Sequence, residues 1–288
     1  MNTPIITIQS KAAGFPEIFH NIPDPPQQIY VISNNWPDLL KTKCLAVVGS
    51  RKITAYGKAV TTTLAGDLAR AGVCIVSGLA IGIDAAAHRA ALGALGVTIA
   101  VLAGGLDAIY PSSHQQLAGQ IVAQGGALVS EYPPGVPTYK QNFIARNRLV
   151  SGLSEAILIT EATEKSGTWH TARFALEQGK DVLAVPGNIT SPASIGTNRL
   201  IRSGATAITS SADIFQALGI KPPSAAPKSR GDTPEEQQIL DILADGPTDG
   251  ARLLQLSGLE ITLFNQSLTM LEITGKIRGL GNNQWIAD

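Results

Sequence analysis

Cysteine is scarce, with Cys44 and Cys74 the only two in 288 residues. Each lies in an apolar run, CLAVV or VCIVS, so both read as buried thiols. Two such cysteines exclude a disulfide framework and offer no zinc spacing, which fits a reducing compartment. Aromatics are few at 5%, and charged residues make up 15% with a formal net charge of zero. A protein that binds nucleic acid over its whole surface is usually basic, so any such site here must be local. No apolar run reaches the ~20 residues of a membrane span. The start, MNTPIITIQSKAAGF, lacks the positive segment and continuous apolar core of a signal peptide. The expected location is therefore the cytoplasm, with no membrane partner. Familiar fingerprints are missing too: there is no GxGxxG, no Walker A sequence and no GxSxG elbow.

What is abundant is Gly, at 29 residues, together with Ala, Val, Ile and Leu. That mix suits a parallel sheet covered by helices on both faces. Strand-like runs fall at 44–49, 73–78, 97–105, 127–132, 156–162, 181–187 and 206–209. Helical patterns fall between them at 57–71, 82–95, 113–125, 168–179 and 196–203. The alternation predicts an α/β fold: an extended, Rossmann-like, doubly wound and mostly parallel sheet over residues 44–218. Residues 1–43 are Pro-rich and read as an N-terminal strap with one short extended run. Residues 219–233, including KPPSAAPKSRGDTP, read as a linker. Residues 234–288 give three helical patterns, with Thr248 a candidate cap for the second. A turn at Gly281-Asn282-Asn283 then separates two short runs. Three helices and a hairpin make a small C-terminal winged-helix domain.

Five stretches could carry chemistry. GSRKITAYG, 49–57, links a strand to a helix. Converging N–H groups there could cradle a phosphate, and Arg51 adds a charged, potentially bidentate donor. The bland alternative is a tight turn with a solvated arginine. In GLAIGIDAAAHRAAL, 78–92, Asp84 and His88 share a helix face. They read more readily as an Asp holding a His than as an acid–base pair, and no third metal ligand is in view. AGGLDAIYPSSHQQL, 103–117, is a Gly-rich strand end without a nucleophile. In SEYPPGVPTYKQNFIARNRLVSGLS, 130–154, Lys140, Phe143, Arg146 and Arg148 interleave cations with a ring. That pattern suits single-stranded nucleic acid, where cations follow phosphates and a ring stacks on a base. The alternative is a surface helix whose arginines pair with nearby glutamates. In EATEKSGTWHTARFALEQG, 161–179, Ser166-Gly167-Thr168 opens a helix at a strand end and offers a second set of anion-binding N–H groups. Glu161 and His170 read as structural more readily than catalytic. No catalytic residue, metal ligand or cofactor site is therefore assigned.

Taken in order, these stretches form a longer signature. GSR…TxYG, SGLAxGIDxxAHRAAL, GxTIAVLAGGLDxxYP, GxLxSEYPPG, FxxRNRLxSGLS, EAxxxSGTxxTARxAxEQG, VxAVPG and GTNxLIRxGA occur in sequence. Together they resemble the DNA-processing protein A family, also called Smf, of bacterial natural transformation. The resemblance is dense from about residue 15 to 218, and the tail is similar to the family's winged helix. It implies a homodimer that binds and protects single-stranded DNA and loads the RecA recombinase onto it; with no credible nucleophile or metal site in the sequence, no enzymatic activity is expected. It also places the DNA pocket on Arg51, Lys140 and Phe143, with Gly49 and Ser50 in the same loop as Arg51. Arg146, Ser166 and Gly167 complete the candidate set from the residue reading. Three positions depart from the family's usual pattern: Ile144 follows the Phe, His114 stands where Asn is common, and the helix start reads SGTWHTA.

A different class of function, a nucleotide phosphoribohydrolase on a similar fold, would look for PGGxGTxxE. The corresponding stretch here, EKSGTWHTA, lacks the second glycine and the closing glutamate. The charge split adds one expectation. Residues 1–218 hold 16 Lys and Arg against 13 Asp and Glu, whereas residues 234–288 hold three against eight. The third helix of the tail, 260–274, has no Lys or Arg at all. A helix that reads duplex DNA contacts phosphates, so this winged helix is expected to meet protein instead.

Overall fold

The computed structural model describes residues 3–221, 230–244, 246, 248–281 and 283–287. Much of the expected linker, and Asn282 of the expected turn, lie outside these residues. The chain forms two compact units, Met1–Pro222 and Pro223–Asp288.

The first unit is built on one nine-stranded sheet. The segment before residue 44 supplies β1 (Ile6–Gln9) and β2 (Gln28–Ile32). There follow β3 (Cys44–Val48), α1 (Ala55–Arg70), β4 (Cys74–Ser77), α2 (Ile83–Gly93) and β5 (Thr98–Leu102). Next come α3 (Gln115–Ala123), β6 (Ala127–Ser130), α4 (Lys140–Gly152), β7 (Ala156–Ile159) and α5 (Thr168–Glu177). The unit closes with β8 (Asp181–Ala184), α6 (Ile195–Arg202), β9 (Thr206–Ala207) and α7 (Ser211–Ala217).

The strand order is β1-β2-β6-β5-β4-β3-β7-β8-β9. All pairs from β6 to β9 are parallel, while β1 and β2 add an antiparallel edge. The central strands are apolar without a break because both faces are covered. Leu45 and Val47 of β3 face one core with Leu64 and Leu68 of α1 and Ile83 of α2. Ala46 and Val48 face the other core, with Leu149 of α4 and Ala172 of α5. Each fully buried Val, Leu or Ile contributes roughly 1.5–3 kcal/mol, so these two layers fix the sheet. Cys44 and Cys74 are register partners on β3 and β4, and both are buried free thiols.

Helix α4 is missing from the helical patterns, appearing only in the alternative reading of 130–154, and helix α7 is missing altogether. Its signal is a capping box: Ser210 and Asp213 exchange bonds with each other's backbone N–H groups. The second unit contains α8 (Pro234–Leu243), β10 (Thr248–Asp249), α9 (Gly250–Ser257), α10 (Ile261–Ile273), β11 (Ile277–Gly281) and β12 (Gln284–Ala287). It has its own core of Ile239, Leu240, Leu243, Leu253, Phe264, Leu271 and Ile277. The three helices and hairpin are those expected, with one correction. Thr248 lies in β10 and does not cap α9; Asp249 does, accepting from Ala251 N–H at 2.9 Å. Among the described residues, no helix is long and apolar enough to cross a membrane.

Candidate functional site

The sheet's topology points to one place. From β3 the chain steps outward through β4, β5 and β6, then returns beside β3 as β7. This reversal opens a crevice at the carboxyl ends of β3 and β7, where doubly wound folds hold ligands. The GSR turn follows β3, and the EATEKSG loop follows β7. Gly49 lets the two meet: a side chain there would lie 2.7 Å from the Glu161 carbonyl oxygen. Ser50 is buried and serves this junction, donating its N–H to that carbonyl at 2.8 Å. Its hydroxyl donates to Lys52 O at 3.0 Å and accepts from Lys52 N–H at 3.1 Å. The loop 78–82 presses on the same turn, since a side chain on Gly82 would overlap Ser50 O. Leu79 takes a left-handed φ of 55°, where His114 Nδ1 meets its carbonyl at 2.8 Å.

Arg51 is the exposed apex of this clamped turn. Its guanidinium lies 4.8 Å from the centroid of the Phe143 ring, within cation–π range. Tyr110 meets the same ring edge-on at 5.6 Å. Lys140 is the exposed first residue of α4, three positions before Phe143 on the same helix face. Loop 133–138 sets where α4 begins. Gly105 donates to Val136 O at 2.9 Å, and Asp107 accepts from Gly135 N–H at 2.8 Å. The GGLD motif therefore acts structurally, anchoring the loop that presents Lys140. Arg51, Lys52, Lys140 and Lys165 are exposed and form no salt bridge among the described residues, as do cations elsewhere such as Lys11, Lys58 and Arg89; what sets Arg51 apart is its contact with the Phe143 ring. Sequence reasoning passed over Tyr110 and Lys52. The Tyr-Pro pair after GGLD and the lysine beside Arg51 were the available signals.

The rest of the basic cluster turns inward. Arg146 is 4% exposed, and its guanidinium donates to Gly78 O at 2.7 Å and to Val101 O. Burial pulls its pKa down to about 10, against the opposing pull of Asp84. Asp84 is pushed upward by burial and accepts from Gly78 N–H at 3.0 Å. His88 is neutral, burial and then Arg146 holding its pKa down to about 3. In this structure Arg146 therefore lies beneath the Gly78 loop, unlike the exposed Arg51 and Lys140. Arg148 pairs with both Glu131 oxygens, at 2.7 and 2.9 Å, and with Asp24 at 3.1 Å.

Ser166 and Gly167 stand at the start of α5. Ser166 Oγ meets Thr168 Oγ1 at 2.7 Å and accepts from Thr168 N–H at 3.3 Å. Gly167 faces open space. Among the described residues, no hydrogen bond or ring contact joins this pair to Arg51, Lys140 or Phe143. Glu161 is 2% exposed and is engaged by Thr54, whose N–H donates at 3.0 Å and whose hydroxyl also donates. Among the described residues, no group of three or more His, Cys, Asp and Glu is placed to hold a metal. The site is an open shelf. Two cavities, of about 370 and 530 Å³, lie elsewhere, and neither is lined by Arg51, Lys140 or Phe143.

Comparison with known proteins bears on the family and the fold. The family model "DNA recombination-mediator protein A" matches residues 5–219, and the model "DprA winged helix domain" matches residues 221–283. Protein Smf of Escherichia coli is 47% identical over 197 residues, covering 68% of this chain and 53% of Smf. The match thus spans about half the length of that relative. The structure of DNA processing protein A from Streptococcus pneumoniae aligns with a TM-score of 0.69 at 37% identity, covering 75% of this chain and 74% of that one. The same protein from Helicobacter pylori, whose structure describes a single-stranded DNA binding mode, aligns at 0.67 with 35% identity. There the coverage is 75% of this chain and 96% of the other. A family model over three quarters of the sequence, on the fold its motifs predict, leaves one conclusion: the chain belongs to the DNA recombination-mediator protein A family.

Proposed function

We propose that this protein holds single-stranded DNA on the shelf formed by Arg51, Lys140 and Phe143. It would protect the strand and pass it to RecA recombinase during natural transformation or recombination. One observation carries the reading: two exposed cations without ion-pair partners flank an aromatic ring at the switch point of the sheet. Cations that follow phosphates, with a ring for a base, are what sequence-tolerant single-strand binding requires. The RecA partner, the homodimer and the cytoplasmic location rest on the family resemblance and on cysteines kept as thiols. The rival hydrolase reading has a weak starting point. Its candidate base, Glu161, is buried and already accepts from Thr54. The names of several relatives describe DNA processing and no catalysed reaction. The winged helix is assigned a protein partner. Ile261, Leu263, Met270 and Ile273 of α10 are exposed, and the helix carries no Lys or Arg.

The test is titration of a labelled oligothymidylate with wild type, Arg51→Ala and Lys140→Ala. Each variant is expected to lose about tenfold or more in affinity, equivalent to ~1.4 kcal/mol. Each is also expected to flatten the salt dependence by about 0.7 in log–log slope, the share of one phosphate contact. Wild-type affinity in both variants would remove the site assignment.

A further inference from the structure

The turn that resembles a phosphate cradle already contains an anion. In doubly wound folds the phosphate of a bound nucleotide rests at the N-terminus of the helix that follows the switch-point strand. Here that helix is α1, and the group at its N-terminus is the Glu161 carboxylate, reaching across from the end of β7. One oxygen accepts the Thr54 N–H at 3.0 Å, and the other accepts the Thr54 hydroxyl. Gly57 leaves the space, since a side chain there would overlap the carboxylate. Thr54 is itself the N-cap, accepting from Gly57 N–H at 3.1 Å. The helix therefore has a local cap and, in addition, a second acceptor from 107 residues away. Helix α1 has no acidic residue of its own in its first turn, so its positive end is balanced from outside the helix.

We infer that Glu161 is an internal substitute for phosphate, which closes the nucleotide position of the fold and leaves the outward Arg51 and Lys140 to take phosphate from a ligand at the rim. A free nucleotide would have to displace a buried carboxylate held by two donors. A strand lying across the shelf need not enter that position. The same carboxylate fixes Thr54, while the Glu161 carbonyl fixes Ser50, so Arg51 is held between two points of one residue. Glu161 thus determines which class of phosphate ligand the site accepts. This explains why the proposed ligand is a polymer. Its test needs no DNA, so it can fail while the single-strand reading stands, and the converse also holds.

Removing the carboxylate should leave a vacancy that inorganic phosphate can fill. Thr54, Ala55 and Tyr56 around it are exposed, so the vacancy would open to solvent. The experiment is thermal unfolding of the full chain at neutral pH, in sodium phosphate or sodium chloride of matched ionic strength. Phosphate strengthens burial generally, and that contribution is common to every variant. Wild type should therefore show only the common shift. Glu161→Ala should melt lower in chloride and regain a further ~3–6 °C as phosphate rises to about tenfold over its dissociation constant, growing with the logarithm of phosphate concentration. Glu161→Gln, which keeps the position filled, should follow wild type in its response. A phosphate response of Glu161→Ala parallel to wild type would overturn the inference, as would an equal extra response in Glu161→Gln. If Glu161→Ala does not fold in chloride, recovery of its circular dichroism in phosphate, but not in a sucrose solution that raises the wild-type Tm equally, supports the inference. Failure to refold in either salt counts against it.

Discussion

Arg51 and Phe143 reach each other from opposite sides of the crevice, one from the turn after β3 and the other from α4. Their 4.8 Å separation means that the ring orients the guanidinium, and under the proposed function the ring would also offer a surface to a base. Phe143→Leu keeps apolar bulk but loses the ring. It should cost single-strand affinity about 1–3 kcal/mol, the range for one stacked base. The same substitution should cost much less on an abasic strand, where only phosphates remain to be bound. Equal losses on both strands, measured by fluorescence anisotropy, would show that Phe143 acts only by holding Arg51. At this scale the sequence was partly legible. A cation-rich stretch with a ring in it singled out Lys140 and Phe143 as candidates, and the structure leaves Lys140 exposed and sets Phe143 beside Arg51. The stretch could not show that Arg146, three residues further on, turns beneath the loop to meet Gly78 and Val101. Side-chain direction on a short helix depends on what packs over it, and charge alone does not reveal that.

Helix α4 begins against the usual rule. Its first residue is Lys140, its first turn has no acid, and Tyr139 contributes no side-chain cap. A cation at the positive end of a helix is unfavourable, so a lysine there is better explained by a ligand than by the fold. Lys140→Glu should therefore separate the two demands. It should raise stability by about 0.3–1 kcal/mol, read as a higher Tm, because the new charge complements the helix dipole. It should abolish single-strand binding in the same preparation. A drop in both Tm and affinity would mean that Lys140 serves the fold. Elements of this kind were legible to different degrees. The buried parallel strands announced themselves as unbroken apolar runs, and most helices between them as periodic patterns. Helix α7 did not, because its seven residues give too few turns for a period; its capping box at Ser210 and Asp213 was the usable signal. Strand β10 is two residues long and is defined by pairing with β12, a contact that local sequence does not encode.

Over the whole molecule, charge and structure divide the labour in the same way. Every residue of the proposed shelf belongs to the first unit, and among the described residues the cores around the large sheet are built from residues up to 220. Residues 1–218 carry the excess of Lys and Arg, and residues 234–288 hold three such groups against eight carboxylates. On α10 the exposed positions include Ile261, Leu263, Met270 and Ile273, a surface that offers phosphate no donor from a cationic side chain. Removing residues 222–288 should therefore leave single-strand affinity within about twofold of the full chain, with the same slope against salt. Affinity should rise slightly, because truncation removes net negative charge from the chain. Duplex DNA gives the complementary reading. The full chain should bind duplex no better than the truncated one, since a winged helix without cations on its third helix supplies no counterion release. Both comparisons use the same anisotropy titration, repeated across salt. A tenfold loss of single-strand affinity on truncation, or duplex binding present only in the full chain, would place nucleic-acid contacts on the second unit and overturn its assignment to a protein partner.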